Sequence, residues 1–178
     1  MKRKLFLPTI LTVAVLFTAC GGSDSKVIES DGTATNSAAN ASVTEAKGYV
    51  FTANGVDMAA DMDAAPIVEA LGEPEEYFEA PSCAGEGIGK LYTYADFEVQ
   101  TYPVDGKDLV LYVLLKTDNV ATAEGIDLSK SRDDIISTYG DPTKDNGDSL
   151  IYEKDGMKLI FFMDGDSITN IEYDSAKN

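Results

Sequence analysis

Apolar and polar residues alternate in short runs along much of the chain, a pattern that predicts strands. The clearest run is 97–102, where Phe97 and Val99 alternate with polar neighbours, so we expect one face inward and the other outward. Asn54 and Gly55 form a dipeptide typical of a tight hairpin turn. The predicted strands cover residues 90–94, 97–102, 108–116, 149–153, 157–163 and 167–173.

Two short segments carry the signals of helices. Residues 63–71 begin with Asp63, a good N-cap, and residues 131–139 begin with Ser131 and Asp134 in capping-box spacing. A glycine and then a proline end each segment, which is where a helix takes a left-handed residue and cannot continue. These residues are Gly72 and Pro74 in the first segment and Gly140 and Pro142 in the second.

The predicted elements occur twice in the same order. Residues 52–58 match 122–128, and residues 67–74 match 135–142. The first copy has an additional glycine-rich stretch at 80–87. Internal similarity of this kind is typical of a repeated structural unit.

From this order we predict an α+β fold of two tandem units, each a short helix followed by an antiparallel β-meander. The units are expected at 48–118 and 119–178. One helix does not cover the apolar face of a sheet, so the two units are expected to pack together.

The beginning of the chain differs from the rest. Lys2, Arg3 and Lys4 precede an apolar run at 5–19, which is shorter than the roughly 20 residues that span a bilayer. Small residues then precede Cys20, and this ending resembles the lipobox of bacterial lipoprotein signals. The resemblance implies that the signal, residues 1–19, is removed and that Cys20 carries a diacylglyceryl group. The alternative is a plain secretory signal with an incidental cysteine.

Such a lipid would anchor the protein on the outer side of the cell membrane. Residues 20–47 hold the lipidated cysteine and then a stretch rich in Gly, Ser, Thr, Ala and Asn. This composition predicts a flexible linker with a mean reach of about 28 Å.

The chain is strongly acidic, with a formal net charge of −17. Removal of the three basic residues of the signal would take the charge from −17 to −20. This charge excludes nucleic acid as a partner, because phosphate backbones are bound by Lys and Arg patches. It favours solubility and is compatible with a basic partner, but an ordinary acidic surface is the simpler explanation.

The chain contains no His and no Trp, which removes Ser–His and Cys–His nucleophile pairs and most zinc sites. We therefore predict no catalytic residue, no metal and no cofactor, and a protein that is not an enzyme. Three acidic clusters leave calcium binding open, but their positions favour turns and caps. The clusters are Asp57, Asp61 and Asp63, then Asp141, Asp145 and Asp148, and finally Asp164 and Asp166. With Cys20 lipidated, Cys83 has no partner and is expected to be buried, the alternative being a free thiol.

Aromatic residues on the predicted strands are the candidate binding residues, because outward tyrosines make rigid contact surfaces. The alternative is that they belong to the core. The candidates are Tyr92, Tyr94, Tyr102 and Tyr112.

The Leu-Gly-x-Pro motif at 71–74 and the Tyr-Gly-x-Pro motif at 139–142, each followed by predicted strands, resemble the β-lactamase inhibitor protein fold. Shorter motifs at 81–84, 90–94, 101–103 and 122–126 look like a group of surface lipoproteins from low-GC Gram-positive bacteria. The resemblance implies a protein that binds partners on a concave sheet face. We expect a non-enzymatic protein-binding or inhibitor-like module. The alternatives are a small-ligand or ion binding protein and an enzyme that uses acidic residues.

The lipid anchor leads to a first prediction. The substitution Cys20→Ser removes the sulfur that would receive the lipid, so we expect the protein to leave the membrane fraction. Immunoblots of membrane and soluble fractions measure this, with Cys83→Ser as the matched control. Continued membrane retention of the Cys20→Ser chain would contradict the anchor.

Overall fold

The computed structural model describes residues 48–177, which form two short helices and ten strands. The helices are α1 (Ala64–Leu71) and α2 (Arg132–Tyr139). The strands are β1 (Phe51–Ala53), β2 (Val56–Met58), β3 (Glu76–Pro81), β4 (Ile88–Thr93), β5 (Phe97–Val104), β6 (Lys107–Leu115), β7 (Lys144–Asp145), β8 (Ser149–Lys154), β9 (Met157–Asp164) and β10 (Ser167–Ser175). The predicted signal, Cys20 and the predicted linker lie outside the described residues.

Eight of these strands form one antiparallel sheet in the order β3-β4-β5-β6-β10-β9-β8-β7, and β1 and β2 form a small second sheet. The predicted fold class is therefore wrong. The described chain is mostly β, and its strands do not form two tandem helix-plus-meander units. The physical reason is the pairing of β6 with β10, for example at Leu115 and Ile171, which joins strands that are distant in sequence into one sheet.

The core lies on one face of the large sheet, which we call the inner face. In β5 the alternation is as predicted, since Phe97, Val99 and Thr101 are buried. Both helices direct a buried isoleucine, Ile67 or Ile135, into the same core. The small sheet also packs there. Its Phe51 ring lies 5.3 Å from the ring of Phe97 and 5.8 Å from that of Tyr173.

The predicted helix boundaries are confirmed. The Asp63 carboxylate accepts a hydrogen bond from the backbone of Ala65, and both reciprocal bonds of the capping box join Ser131 and Asp134. Each helix ends at a glycine with φ of 80°, a left-handed conformation that other residues rarely adopt. Among residues 48–177, neither helix has the length and apolar character needed to cross a membrane.

Tight turns join several neighbouring strands, as the dipeptide signals predicted. At the β1–β2 turn, φ is 54° at Asn54 and 78° at Gly55. Positive φ at both central residues matches the twist of a two-residue hairpin. Asp105 and Gly106, with φ of 49° and 78°, repeat this geometry between β5 and β6.

The packing of α2 gives a second prediction. Ile135 is fully buried and Ile136, the next residue, is only half-buried. We expect Ile135→Ala to lower the free energy of unfolding by about 2–5 kcal/mol, since it leaves a cavity in the core. The matched control, Ile136→Ala, is expected to lower the free energy of unfolding by clearly less. Urea unfolding followed by circular dichroism measures both, and equal losses would contradict the assigned orientation of α2.

Candidate functional site

The face of the large sheet that points away from the helices, here called the outer face, carries half-buried apolar side chains. The pairing of β5 with β6 shifts by one residue here, because Gln100 lies opposite Tyr112 and Thr101 lies opposite Val110. Leu111 is the extra residue in β6. Val110 and Val113 are both fully buried on the inner face, and the two residues between them, Leu111 and Tyr112, remain half-buried. Such a bulge re-aims side chains, and here it places two large apolar groups side by side outside the core.

A groove of about 630 Å³ contains both of these side chains. Its lining extends from β3 across β4, β5 and β6 to β10 and includes the loop residues 82–84. The lining residues are Phe78, Ala80, Pro81, Ser82, Cys83, Ala84, Gly89, Lys90, Leu91, Gln100, Leu111, Tyr112, Glu172 and Asp174.

The loop between β3 and β4 is held by local hydrogen bonds and by close contact with β5. Ser82 N–H donates to the carbonyl of Gly87 at 2.9 Å, and its hydroxyl accepts from Ala84 N–H at 3.1 Å. A Cβ atom on Gly85 would lie 2.6 Å from the carbonyl oxygen of Pro103. Only glycine fits at this position, so the loop lies directly against β5.

Exposed apolar side chains stand beside the groove. Phe78, which lines it, is 63 % exposed, and Tyr77 and Ile88 are 50 % and 46 % exposed. They are the large exposed hydrophobics of the described chain, and all three belong to the β3–β4 hairpin. Apolar exposure concentrated at one place marks a contact surface more often than scattered single residues do.

Charged groups in and around the groove are mostly paired. The separations between nitrogen and oxygen are 2.7 Å for Lys90 and Asp108, 3.3 Å for Lys116 and Glu98, and 3.8 Å for Lys158 and Asp174. These side chains are partly exposed, so solvent screening keeps each contribution to stability small.

Glu172 has a shifted pKa. It lies between Leu114 and Ile160 on neighbouring strands. Burial and, to a smaller extent, the negative charge of Asp174 raise the pKa of Glu172, Lys158 opposes the shift, and together these effects place the pKa at about 7. A carboxyl group that binds a proton near neutral pH is one component of an acid–base site.

The other carboxyl group that lines the groove already has a hydrogen-bond donor and an ionic partner. This group, Asp174, accepts a hydrogen bond from the backbone of Ser175 at 2.7 Å and faces Lys158. Within residues 48–177, no three acidic or cysteine side chains converge in a way that could hold a metal ion. Asp145 of one acidic cluster accepts from Gly147 N–H and from Arg132, as expected for a turn.

The four candidate tyrosines do not share one surface. Tyr112 lines the groove, whereas Tyr94 is buried in the core and donates to the carbonyl of Gly72 at 3.4 Å. Tyr92 packs against the core and against the ring of Tyr77.

Tyr102 has a different role, because its hydroxyl donates to the Asp61 carboxylate at 2.6 Å. Burial raises the pKa of Asp61, but hydrogen bonds from Tyr102, Lys177 and Ser175 outweigh burial and hold it below its ordinary value. This contact ties the end of β10 to β5 and to the segment before α1.

The expected burial of Cys83 is wrong, because Cys83 is a free, exposed cysteine in the groove loop. The loop reaches β5 through Gly85, which lies against Pro103. Phe78, Leu111 and Glu172 were not among the predicted site residues. One signal in the sequence was the unbroken apolar run 109–115, which departs from strict alternation where β6 bulges.

Comparisons of the chain with family models, with curated proteins and with solved structures find no match.

The raised pKa of Glu172 gives a third prediction. An unfolded chain releases this proton near the ordinary pKa of 4.5, whereas the folded chain keeps it until about 7. Ionisation therefore lowers stability as pH rises from about 4.5 to 7, and the loss levels off above that range. We expect Glu172→Gln to gain stability relative to the native chain across this interval.

Urea unfolding at several pH values from 4 to about 8.5 measures this difference. The exposed Glu153, changed to Gln, serves as the matched control. A stability difference between Glu172→Gln and the native chain that does not change with pH would contradict the assignment.

Proposed function

We propose that this protein is a non-enzymatic binding module whose outer sheet face receives a protein partner. The observation that carries the proposal is the groove beside Phe78. It combines half-buried Leu111 and Tyr112 with a large exposed aromatic side chain. In residues 48–177 the helices lie on the inner face, so the outer face is available for contact.

The chemistry of this face suits protein recognition. Interfaces typically have an apolar, aromatic centre and a polar rim. Here Phe78, Leu111 and Tyr112 supply the centre, and the ion pairs of Lys116 with Glu98 and of Lys158 with Asp174 supply polar groups on the same face. The strands that line the groove all belong to one hydrogen-bonded sheet, so little ordering entropy is lost on binding.

We further propose that the module is an exported lipoprotein held on the outer side of the cell membrane by Cys20. The basic residues 2–4, the apolar run and the small residues before Cys20 support this. An anchor of this kind places the partner in the envelope or outside the cell.

A second candidate function is the binding of a small extracytoplasmic ligand. The groove volume of about 630 Å³ lies within the range of roughly 300–1,000 Å³ that is typical of ligand pockets. The exposure of Phe78 favours a larger partner, because a small ligand would leave most of that side chain in water.

The fourth prediction tests the binding face. Replacing Phe78 and Tyr112 by Ser removes the two aromatic anchors. We expect about 30-fold weaker capture of envelope proteins by the full chain, the effect of losing about 2 kcal/mol at an interface hot spot. Quantitative mass spectrometry of retained proteins at several bait concentrations measures this. Thr138→Ser, an exposed change on α2, is the matched control.

Unfolding curves must show that the double variant remains folded. Equal capture by the native chain and the variant would contradict protein binding at this face. A thermal shift with the low-molecular-weight envelope fraction, present in the native chain and lost in the variant, would favour the small ligand instead.

A further inference from the structure

The two edges of the large sheet differ in how they are protected. At one edge, β7 has only two residues, Lys144 and Asp145, and Asp145 is paired with Arg132 at 2.9 Å. At the other edge, β3 has six residues and contains no Lys or Arg. Short, charged edge strands resist the addition of another strand, and long ones with apolar side chains invite it.

The outer edge of β3 has unpaired backbone groups. Ser82 N–H donates to the carbonyl of Gly87, and hydrogen-bonded positions alternate along an antiparallel strand. The backbone N–H and C=O groups of Phe78 and Ala80 are therefore hydrogen-bonded to β4. Those of Tyr77 and Glu79 point away from β4, toward the open edge. Among residues 48–177, β3 pairs with no strand other than β4.

The side chains of β3 distinguish its two faces. Phe78 and Ala80 line the groove on the outer face. Tyr77 and Glu79 lie on the opposite face, where the ring of Tyr77 is 5.1 Å from that of Tyr92 and its hydroxyl donates to Glu79. An added strand would therefore meet an apolar row on one face and an acidic, aromatic row on the other.

Charge selects among the strands that could be added. The chain has 31 acidic and 14 basic residues, and the nearest cation to this edge, Lys90, is paired with Asp108. A second copy of β3 would place the Glu79 carboxylates of both chains on the same face of the strand pair, and like charges on neighbouring strands destabilise such pairs. A basic strand would instead be attracted to Glu79. The negative net charge of the chain would also increase its rate of association.

From these observations we propose that the outer edge of β3 pairs with an extended basic segment of a partner protein. The segment adds to the large sheet as a ninth strand, a known mode of peptide recognition. Its apolar side chains lie beside Phe78 and Ala80, and its Lys or Arg side chains lie beside Glu79 and Tyr77. This inference rests on the proposed binding function and specifies the chemistry of the partner.

The decisive variant is Glu79→Pro in the full chain. Proline removes the outward N–H of residue 79 but no bond to β4, so the edge strand tolerates it. Glu79→Ala is the matched control, since it loses the same carboxylate and keeps the N–H. Unfolding curves of both variants establish that the sheet is intact.

The probe is a fluorescent eight-residue peptide of alternating valine and lysine. Two further peptides accompany it, one with alternating valine and glutamate and one with four valines followed by four lysines. Anisotropy measures binding. Amide hydrogen exchange measures protection at Tyr77 and Glu79, with Phe78 as the internal reference.

We expect the alternating basic peptide to bind the native chain and to slow exchange at Tyr77 and Glu79, with little change at Phe78. Binding by Glu79→Pro is expected to be at least about tenfold weaker than by Glu79→Ala, since the loss of edge hydrogen bonds adds to the loss of charge. The acidic peptide and the block peptide are expected to bind at least about tenfold more weakly than the alternating basic peptide.

Equal binding by the two Glu79 variants, or equal binding of the basic and acidic peptides, would overturn the proposal. If sedimentation shows that the native chain is a dimer and that Glu79→Pro is a monomer, the edge binds a second copy of the chain instead. Basic-peptide binding that appears only after removal of residues 21–47 would assign it to the chain's own N-terminal segment. If envelope capture depends on Phe78 and Tyr112 but not on the N–H of residue 79, the binding function stands and strand addition is wrong.

Discussion

The pairing of β6 with β10 is the contact on which the rest of the structure depends. It sets Leu115 against Ile171 and Val113 against Tyr173, and all four side chains are essentially inaccessible to solvent. Strands from both halves of the chain thereby bury one common core. The same pairing sets Tyr112 against Asp174 on the other face, and both residues line the groove.

The two faces of the large sheet are used differently. The inner face is closed by the helices and by the small sheet, and its side chains are buried. The outer face keeps half-buried apolar groups next to ion pairs, an arrangement that contributes little to stability but leaves a shaped contact surface. The pKa of about 7 at Glu172 reflects how far this face already excludes water, since its aliphatic neighbours Leu114 and Ile160 shield the carboxyl group.

The β3–β4 hairpin brings several unusual features together at one end of the sheet. It carries the exposed Tyr77, Phe78 and Ile88, and the loop that joins its strands is fixed against Pro103 by the absence of a side chain at Gly85. The opposite edge, at β7, is short and charged. The edge at β7 is thus shorter than the edge at β3, which borders the groove, and this asymmetry links the β3 edge to the proposed binding function.

Local signals in the sequence determined both helix boundaries, the hairpin turn at Asn54 and Gly55, and the alternation along β5, because these depend on backbone bonds and side-chain periodicity within a few residues. Of the candidate binding residues, the groove contains only Tyr112. The tertiary structure alone decided that strands from both halves join in one sheet, that Tyr94 is buried, and that Cys83 is exposed. These outcomes depend on contacts between residues far apart in the chain, above all β6 with β10, and neither composition nor local periodicity specifies which distant strands will pair.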